Sequence, residues 1–287
     1  MKNALSDREQ IGEFVPSYLE QMESRLNGLE TPRVPTGFID LDWMLDGGFL
    51  PGDLYVVAGE PAMGKTLLAM NIAADISVNA GHPVVCFSLN MGKKHFMDRM
   101  VAALTGIRLK KLRQAELTND ELEIVNDCCG KIKTAPLYLN VNSEITILQI
   151  HEMIKALSST QRPHLAVIDD IQFLSSGDNP AAVAETCRQL KNMALELQIP
   201  FLAVSRLAGN MNERMNGYPK LSDLRGTGVI EDTVDAVMFV HRDYIYSENP
   251  ESKDTISVIF ARNNVGHTGE VNMKCDVECA WLSCLGA

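Results

Sequence analysis

No stretch of this 287-residue chain is apolar for long enough to cross a membrane. The longest unbroken runs, among them Leu165-Ala166-Val167-Ile168 and Phe201-Leu202-Ala203-Val204, have the length of strands, against about 18 residues for a span. Residues 1–10 hold no apolar run of the kind a secretory signal needs, so the protein is expected in the cytoplasm, with no membrane partner. Paired C-x-x-C sets are missing. Of the seven cysteines (Cys86, Cys128, Cys129, Cys187, Cys275, Cys279, Cys284), the last three have no second close pair and no well-spaced histidine, so free thiols are expected rather than zinc. Basic charge is scarce. The 26 Lys and Arg face 37 Asp and Glu, for a net charge of −11. This excludes a coat of positive surface for duplex DNA, though not a local basic channel or loop. Internal repeats and low-complexity tracts are also absent. With 46% hydrophobic and 22% charged residues, the chain can bury a core, and disorder is excluded as its main state.

The length allows one large domain or two small ones. Over residues 8–27, Ile11, Phe14, Val15, Tyr18, Leu19, Met22 and Leu26 recur at helical spacing. Pro16 either interrupts this helix or opens it, and Gly28 suits a left-handed cap at its end. Residues 29–36 hold two prolines and read as a linker. Residues 1–33 are therefore expected to be a linker helix and connector, packed on its own domain or docked on a neighbouring subunit. Residues 34–287 are expected to form one domain. There, strands at 53–58, 83–89, 137–139, 165–168 and 200–204 alternate with helices at 65–80, 93–104, 118–131 and 181–197. This order predicts an α/β fold with a mostly parallel, twisted sheet covered on both faces. The tail turns to strands at 236–241, 255–261, 270–274 and 280–282, which predicts antiparallel strands extending one edge.

The strongest motif is Gly59-Glu60-Pro61-Ala62-Met63-Gly64-Lys65-Thr66, which satisfies G-x-x-x-x-G-K-[ST] at every fixed position, between an apolar strand and a helix. Its glycines let the backbone curl so that N–H groups point at phosphate oxygens, and the helix N-terminus adds a favourable dipole. Lys65 is expected to reach the β- and γ-phosphates of ATP, and Thr66 to ligate Mg2+. A second acidic site is expected at the end of another buried strand, where Asp169 follows Leu165–Ile168 and can hold the same ion through water. Together these features predict a P-loop nucleoside-triphosphatase core.

Ahead of the loop, Thr36 to Asp42, Gly47-Gly48 and Pro51-Gly52-Asp53-Leu54 are arranged as in RecA-like ATPases. The rest resembles the DnaB-like replicative helicases. The segments that carry the resemblance are Phe87 to Met91, Ile168 to Gln172, Val204 to Leu207, Ser222 to Gly228 followed by Ile230, Glu231 and Asp235, Phe239 to Asp243, and Arg262 to Gly269. The resemblance runs from about Val34 to the C-terminus in the family's order. It implies a RecA-like fold and a hexameric homo-oligomeric ring around single-stranded DNA. It also implies ATP held between subunits, with hydrolysis driving 5′-to-3′ movement. The leading helix resembles the family's linker helix, which docks on the adjacent subunit. No segment here is expected to supply the family's separate N-terminal helical domain. Residues 208–221 match the region of a family DNA-binding loop and carry Arg214 and Lys220, with Arg206 and Arg225 flanking; a solvated loop explains these charges equally well.

Three positions depart from the family pattern. Asn90 stands where the family has the glutamate that activates water; an amide can orient a water but cannot take its proton. Arg206 replaces a glutamine that senses the γ-phosphate. Asn264 stands at the position of an arginine finger, while Arg262, at the neighbouring lysine position, keeps one cation for a neighbour's nucleotide. Losing such a finger costs roughly 10³–10⁵ in rate elsewhere. Asp170 is a candidate to replace the lost base, whereas Glu60 is expected to point away from phosphates that would repel it. The expectations are therefore an ATP-dependent DNA helicase or translocase in replication or, alternatively, a catalytically impaired ATP-binding ring protein that regulates, loads or joins a true helicase. A recombinase or clock-type relative lacks support, with no zinc ribbon ahead of the core and no glutamate at Asn90.

Overall fold

β1 (Leu54–Gly59) is buried along its whole length, as an unbroken apolar strand covered on both faces must be. Its side chains alternate between two cores. Tyr55 and Val57 join Leu68, Ile72 and Met273 on one face, while Leu54, Val56 and Ala58 join Ile150, Leu190 and Ile199 on the other. The structure, a computed structural model, describes residues 10–27, 33–174, 179–207, 217–224 and 229–285. Its remaining strands are β2 (Val84–Ser88), β3 (Leu137–Asn140), β4 (Leu165–Asp169), β5 (Phe201–Arg206), β6 (Ala236–His241), β7 (Thr255–Asn263), β8 (Gly269–Asp276) and β9 (Trp281–Cys284). They lie in one sheet in the order β3-β2-β4-β5-β1-β6-β7-β8-β9. The pairings from β3 through β6 are parallel, and those of β6 with β7, β7 with β8 and β8 with β9 are antiparallel. The α/β class read from the sequence, with its parallel sheet and antiparallel tail, is therefore the observed one.

The chain divides into two units, Met1–Arg33 and Val34–Ala287. In the first, α1 (Ile11–Leu26) runs through Pro16 without a break and buries none of its residues; Gly28 lies outside the described residues. In the second, the helices are α2 (Ile39–Met44), α3 (Lys65–Ala74), α4 (Lys93–Thr105), α5 (Leu109–Gln114), α6 (Asn119–Thr134), α7 (Ile147–Ser158), α8 (Pro180–Leu197), α9 (Val229–Thr233) and α10 (Tyr244–Ser247). The helix predicted over 65–80 is not uniform. After Ala74 it loosens into a π-turn, Asp75–Asn79, where the Ser77 hydroxyl donates back to the Ala73 carbonyl at 2.6 Å, a bond that bends helices. α2, α5, α7, α9 and α10 have no counterpart among the predicted helices. α6 and α7 each start with a reciprocal capping box, Thr118 with Glu121 and Thr146 with Gln149. No helix among the described residues is long and apolar enough to cross a membrane. The cysteines are free thiols and, apart from Cys129, buried; burial pushes the Cys86 and Cys187 thiols up to about 12, which leaves them unreactive.

Because β1, β2, β4 and β5 are parallel, their carboxyl ends share one rim of the sheet. The register sets Gly59 beside Arg206 and Ser88 beside Asp169. Ligands of open parallel sheets bind on that rim.

Candidate nucleotide site

The loop from Gly59 to Thr66 leaves β1 at this rim and enters α3. Two of its glycines are required sterically. A Cβ on Gly59 would meet the Val240 carbonyl oxygen at 2.7 Å. Gly64, at φ +106°, caps α3 with its Cα against the Ile256 side chain. The first amides of α3 are thereby free to face an anion. Lys65 Nζ donates to the Glu60 carbonyl at 2.7 Å. Burial lowers its pKa to about 8, against the pull of Asp169 and Asp170. Asp169, at the end of β4, is pushed up to about 6 by burial, while the Thr66 hydroxyl holds it down and Asp170 raises it further. The structure thus brings Lys65, Thr66 and Asp169 together. A buried carboxylate held by a hydroxyl, and costly to keep ionised, is a donor set of hard oxygens that fits Mg2+.

These residues line a cleft of about 630 Å³. Asn90, exposed just beyond β2, lies on its wall, with Ala62, Gly64 and the start of α4. Four further basic side chains line it: His95 and Arg99 from α4, Arg113 from α5 and Arg242 after β6. The Nε atoms of Arg99 and Arg242 are buried and have no hydrogen-bond partner among the described residues. Buried donors without acceptors are costly, and an anion in the cleft would satisfy them.

Asp170 and Arg206 are not part of that wall. The Arg206 guanidinium donates through Nε to Asp170 Oδ2 at 2.9 Å and stacks 5.3 Å from the Phe173 ring centroid. The other oxygen, Asp170 Oδ1, accepts from the Gln172 amide at 3.1 Å. Gln172, itself buried, donates to Ser205 Oγ at 2.9 Å and accepts from the Arg206 amide at 3.2 Å. Burial raises the Asp170 pKa, and Arg206 draws it back. The free carboxylate expected of a general base is not found here, since both oxygens are engaged.

Arg262 also stands off this cleft. It lies on β7 with Nε donating to Asn264 Oδ1 at 3.4 Å, and NH1 is 4.0 Å from Asp232. Lys220 is exposed, and its backbone amide donates to Asp223 Oδ2 at 2.7 Å. Arg214 and Arg225 lie outside the described residues. The two ends of the stretch that contains Arg214 are clasped by an antiparallel bridge between Leu207 and Leu224. Glu60 turns its carboxylate toward the Tyr246 hydroxyl, which donates to it.

Residues 33–282 match the DnaB-like helicase C terminal domain. The chain belongs to the DnaB-like helicase family. It is 32% identical over 260 residues to the replicative DNA helicase DnaC of Bacillus subtilis (strain 168), covering 89% of this chain and 57% of that protein. It is also 32% identical to the replicative DNA helicase DnaB of Geobacillus stearothermophilus, covering 85% of this chain and 55% of that one. This DnaB-like chain therefore spans little more than half the length of the curated relatives it matches. Among solved structures, one that consists of an ATPase domain superposes with a TM-score of 0.87 at 27% identity, covering 97% of this chain and 100% of that one. A DnaB-like replicative helicase, described with its interactions with primase, superposes at 0.85 and 27% identity over 97% of this chain and 68% of that one.

In this DnaB-like chain, sequence reading missed Arg99, Arg113 and Arg242. A cation on an amphipathic helix usually faces solvent, and nothing local marks Arg99 as different. The available signal was position. α4 starts five residues after β2 ends, at the rim where the phosphate loop also ends, so its early turns must border the same cleft.

Proposed function

We propose that this chain is the ATP-binding motor domain of a DnaB-like DNA helicase or translocase, acting on single-stranded DNA in replication as a hexameric ring in the cytoplasm. The observation that carries this reading is the convergence of Lys65, Thr66 and Asp169 on one cleft with the partnerless Arg99 donor. Gly59 to Thr66 cradle the phosphates with backbone amides. Lys65 exchanges the Glu60 carbonyl for phosphate oxygen. Thr66 and Asp169 would hold Mg2+, which would supply charge neutralisation to the phosphates. Arg99 offers its free donor to the terminal phosphate. Arg262, off its own cleft, serves the nucleotide of a neighbouring copy. α1 docks on that neighbour through its apolar face. The stretch closed by Leu207 and Leu224, which carries Arg214 and Lys220 and is flanked by Arg225, contacts DNA phosphates.

A second reading is favoured by one set of observations. Asn90 is the side chain at the water-activating position, Asp170 is tied up by Arg206, and Asn264 stands at the finger position. On this reading the chain binds ATP with little turnover and regulates, loads or joins a complete helicase, which supplies the missing finger in a mixed ring. Steady-state ATPase activity with and without single-stranded DNA, against Lys65→Ala as the blank, separates the two. DNA-stimulated turnover above the blank supports the motor. ATP binding without turnover, restored on adding a complete helicase, supports the mixed ring. Absence of ATP binding sinks both.

A further inference from the structure

The phosphate loop is connected, through side chains that the nucleotide reading does not use, to residues 217–224. Tyr246, on α10, donates its hydroxyl to the Glu60 carboxylate inside the loop. Its ring lies on Gly217, where a Cβ would come within 2.4–2.6 Å of three ring carbons, at φ +59°. His241 also stacks on Tyr246, at 5.5 Å, and lies 4.5 Å from the Tyr218 ring. His241 is buried, with Nε2 lacking a partner among the described residues, and burial lowers its pKa. Tyr218 in turn donates to Glu270 Oε1 on β8 at 3.3 Å. The same loop residue, Glu60, receives Lys65 Nζ at its carbonyl. One residue of the loop is therefore held from two sides: its backbone by the phosphate-binding lysine and its carboxylate by Tyr246.

A carboxylate in a phosphate loop is an electrostatic liability. At a few ångströms from a triphosphate, like charges repel, and the more strongly where water is excluded. A hydroxyl that donates to that carboxylate fixes where its charge sits.

We propose that Tyr246 is a positioning residue that latches the Glu60 carboxylate away from incoming phosphates and, through the ring seated on Gly217, makes the arrangement of the 217–224 segment depend on nucleotide occupancy. When Lys65 leaves the Glu60 carbonyl for a phosphate, the loop backbone at Glu60 loses that restraint. Any shift is then passed to the Tyr246 ring and to Gly217 beneath it. The inference rests on the reading of the cleft as a nucleotide site.

The test uses the full chain with Mg·ATP in titration calorimetry. Tyr246→Phe keeps the ring and removes only the latch, and it is expected to weaken ATP binding about tenfold, the worth of one hydrogen bond to a charged group. In a Glu60→Gln background, with no charge to restrain, the same substitution is expected to change affinity less than twofold. Gly217→Ala, which pushes the ring off its seat, is expected to reproduce the Tyr246→Phe loss and the same rescue by Glu60→Gln. Hydrogen exchange of residues 217–224 is expected to respond to ATP in the parent and not in Tyr246→Phe. Unchanged affinity in Tyr246→Phe, or a loss that persists with Glu60→Gln, overturns the latch and leaves Tyr246 a packing residue. Exchange that responds to ATP equally in both proteins overturns the connection to Gly217. Lys65→Ala is run beside them. If it binds ATP like the parent, the nucleotide reading itself has failed, an outcome distinct from any failure of the latch.

Discussion

Asp170 and Arg206 are 36 residues apart in sequence and 2.9 Å apart in space. Only the parallel pairing of β4 with β5 brings them together. In the sequence Arg206 stands as a departure from the family pattern and Asp170 as an unrelated candidate base; in the structure each answers the other. Asp170 is almost wholly buried, so its charge depends on Arg206, while Arg206 is 38% exposed along its side chain and can turn to water. The asymmetry makes a prediction. Arg206→Gln strands a buried carboxylate and is expected to lower stability by about 2 kcal/mol, below the usual range for buried pairs because the arginine is partly solvated. Asp170→Asn is expected to cost less. The double substitution is expected to recover most of the loss, and urea denaturation of the four proteins measures the coupling. The same comparison shows what is legible at this scale. The placement of Lys65 and Thr66 was legible because a phosphate loop constrains residue types locally, and that of Asp169 because it ends an unbroken apolar strand. Arg99 and the Asp170–Arg206 pair could not, because their meaning comes from neighbours that the sheet supplies.

Among the elements, the strands were the most legible and the short helices the least. Runs such as 165–168 are apolar at every position because both faces of a central parallel strand are covered. α7 buries Ile150 and Ile154, and both its apolar spacing, Ile147, Ile150, Ile154 and Leu157, and the Thr146–Gln149 capping box that opens it are readable in the sequence. α2 and α5 have six residues each and take their form from the surfaces on which they lie. The long α8 is riveted to the sheet by charge. Lys191 donates to Asp53 at 3.0 Å, to Asp235 at 2.7 Å and to the Gly52 carbonyl at 2.9 Å. Asp235 also accepts from the Leu54 amide at 2.8 Å, so one cation joins α8 to the entries of β1 and β6. Burial opposes its charge, but the bonds to Asp235 and Asp53 raise the Lys191 pKa. The Asp53 pKa is raised, first by burial and then by Asp235, with Lys191 restraining it. Lys191→Met removes that restraint and is expected to destabilise the fold by about 3 kcal/mol at pH 8. The sign with pH follows from linkage. A carboxyl whose folded pKa lies above its unfolded value binds its proton more tightly when folded, so folding loses stability as pH rises through that window and regains it as pH falls. The deficit of Lys191→Met is therefore expected to shrink from pH 8 to pH 5, as paired melting curves of variant and parent would record.

At the scale of the whole molecule, the α/β class and the alternation of strands with the long helices from residue 34 onward were readable, whereas the strand order and the setting of α1 were not. Its periodicity announces an apolar face, and along that face Ile11, Phe14, Tyr18, Leu19 and Leu26 are each about half or more exposed. Exposed apolar stripes of this kind mark interaction surfaces. If α1 joins one copy to the next, Leu19→Asp with Phe14→Asp is expected to shift the protein from oligomer to monomer in light scattering. The melting of the 34–287 unit, whose cores contain none of these side chains, is expected to change little.

The bridge between Leu207 and Leu224 has a consequence for engineering. Both leucines are buried, and they pair directly, so the chain that leaves β5 at Leu207 is fastened again at Leu224. Whatever lies between them is held by its roots, and lengthening it costs only about 0.6 kcal/mol per doubling in closure entropy. The part open to exchange is residues 208–216, because Gly217 and Tyr218 already pack on Tyr246 and His241. Inserts of other lengths and charges can be spliced between Leu207 and Gly217, giving a series of proteins that share one fold and differ only in that insert.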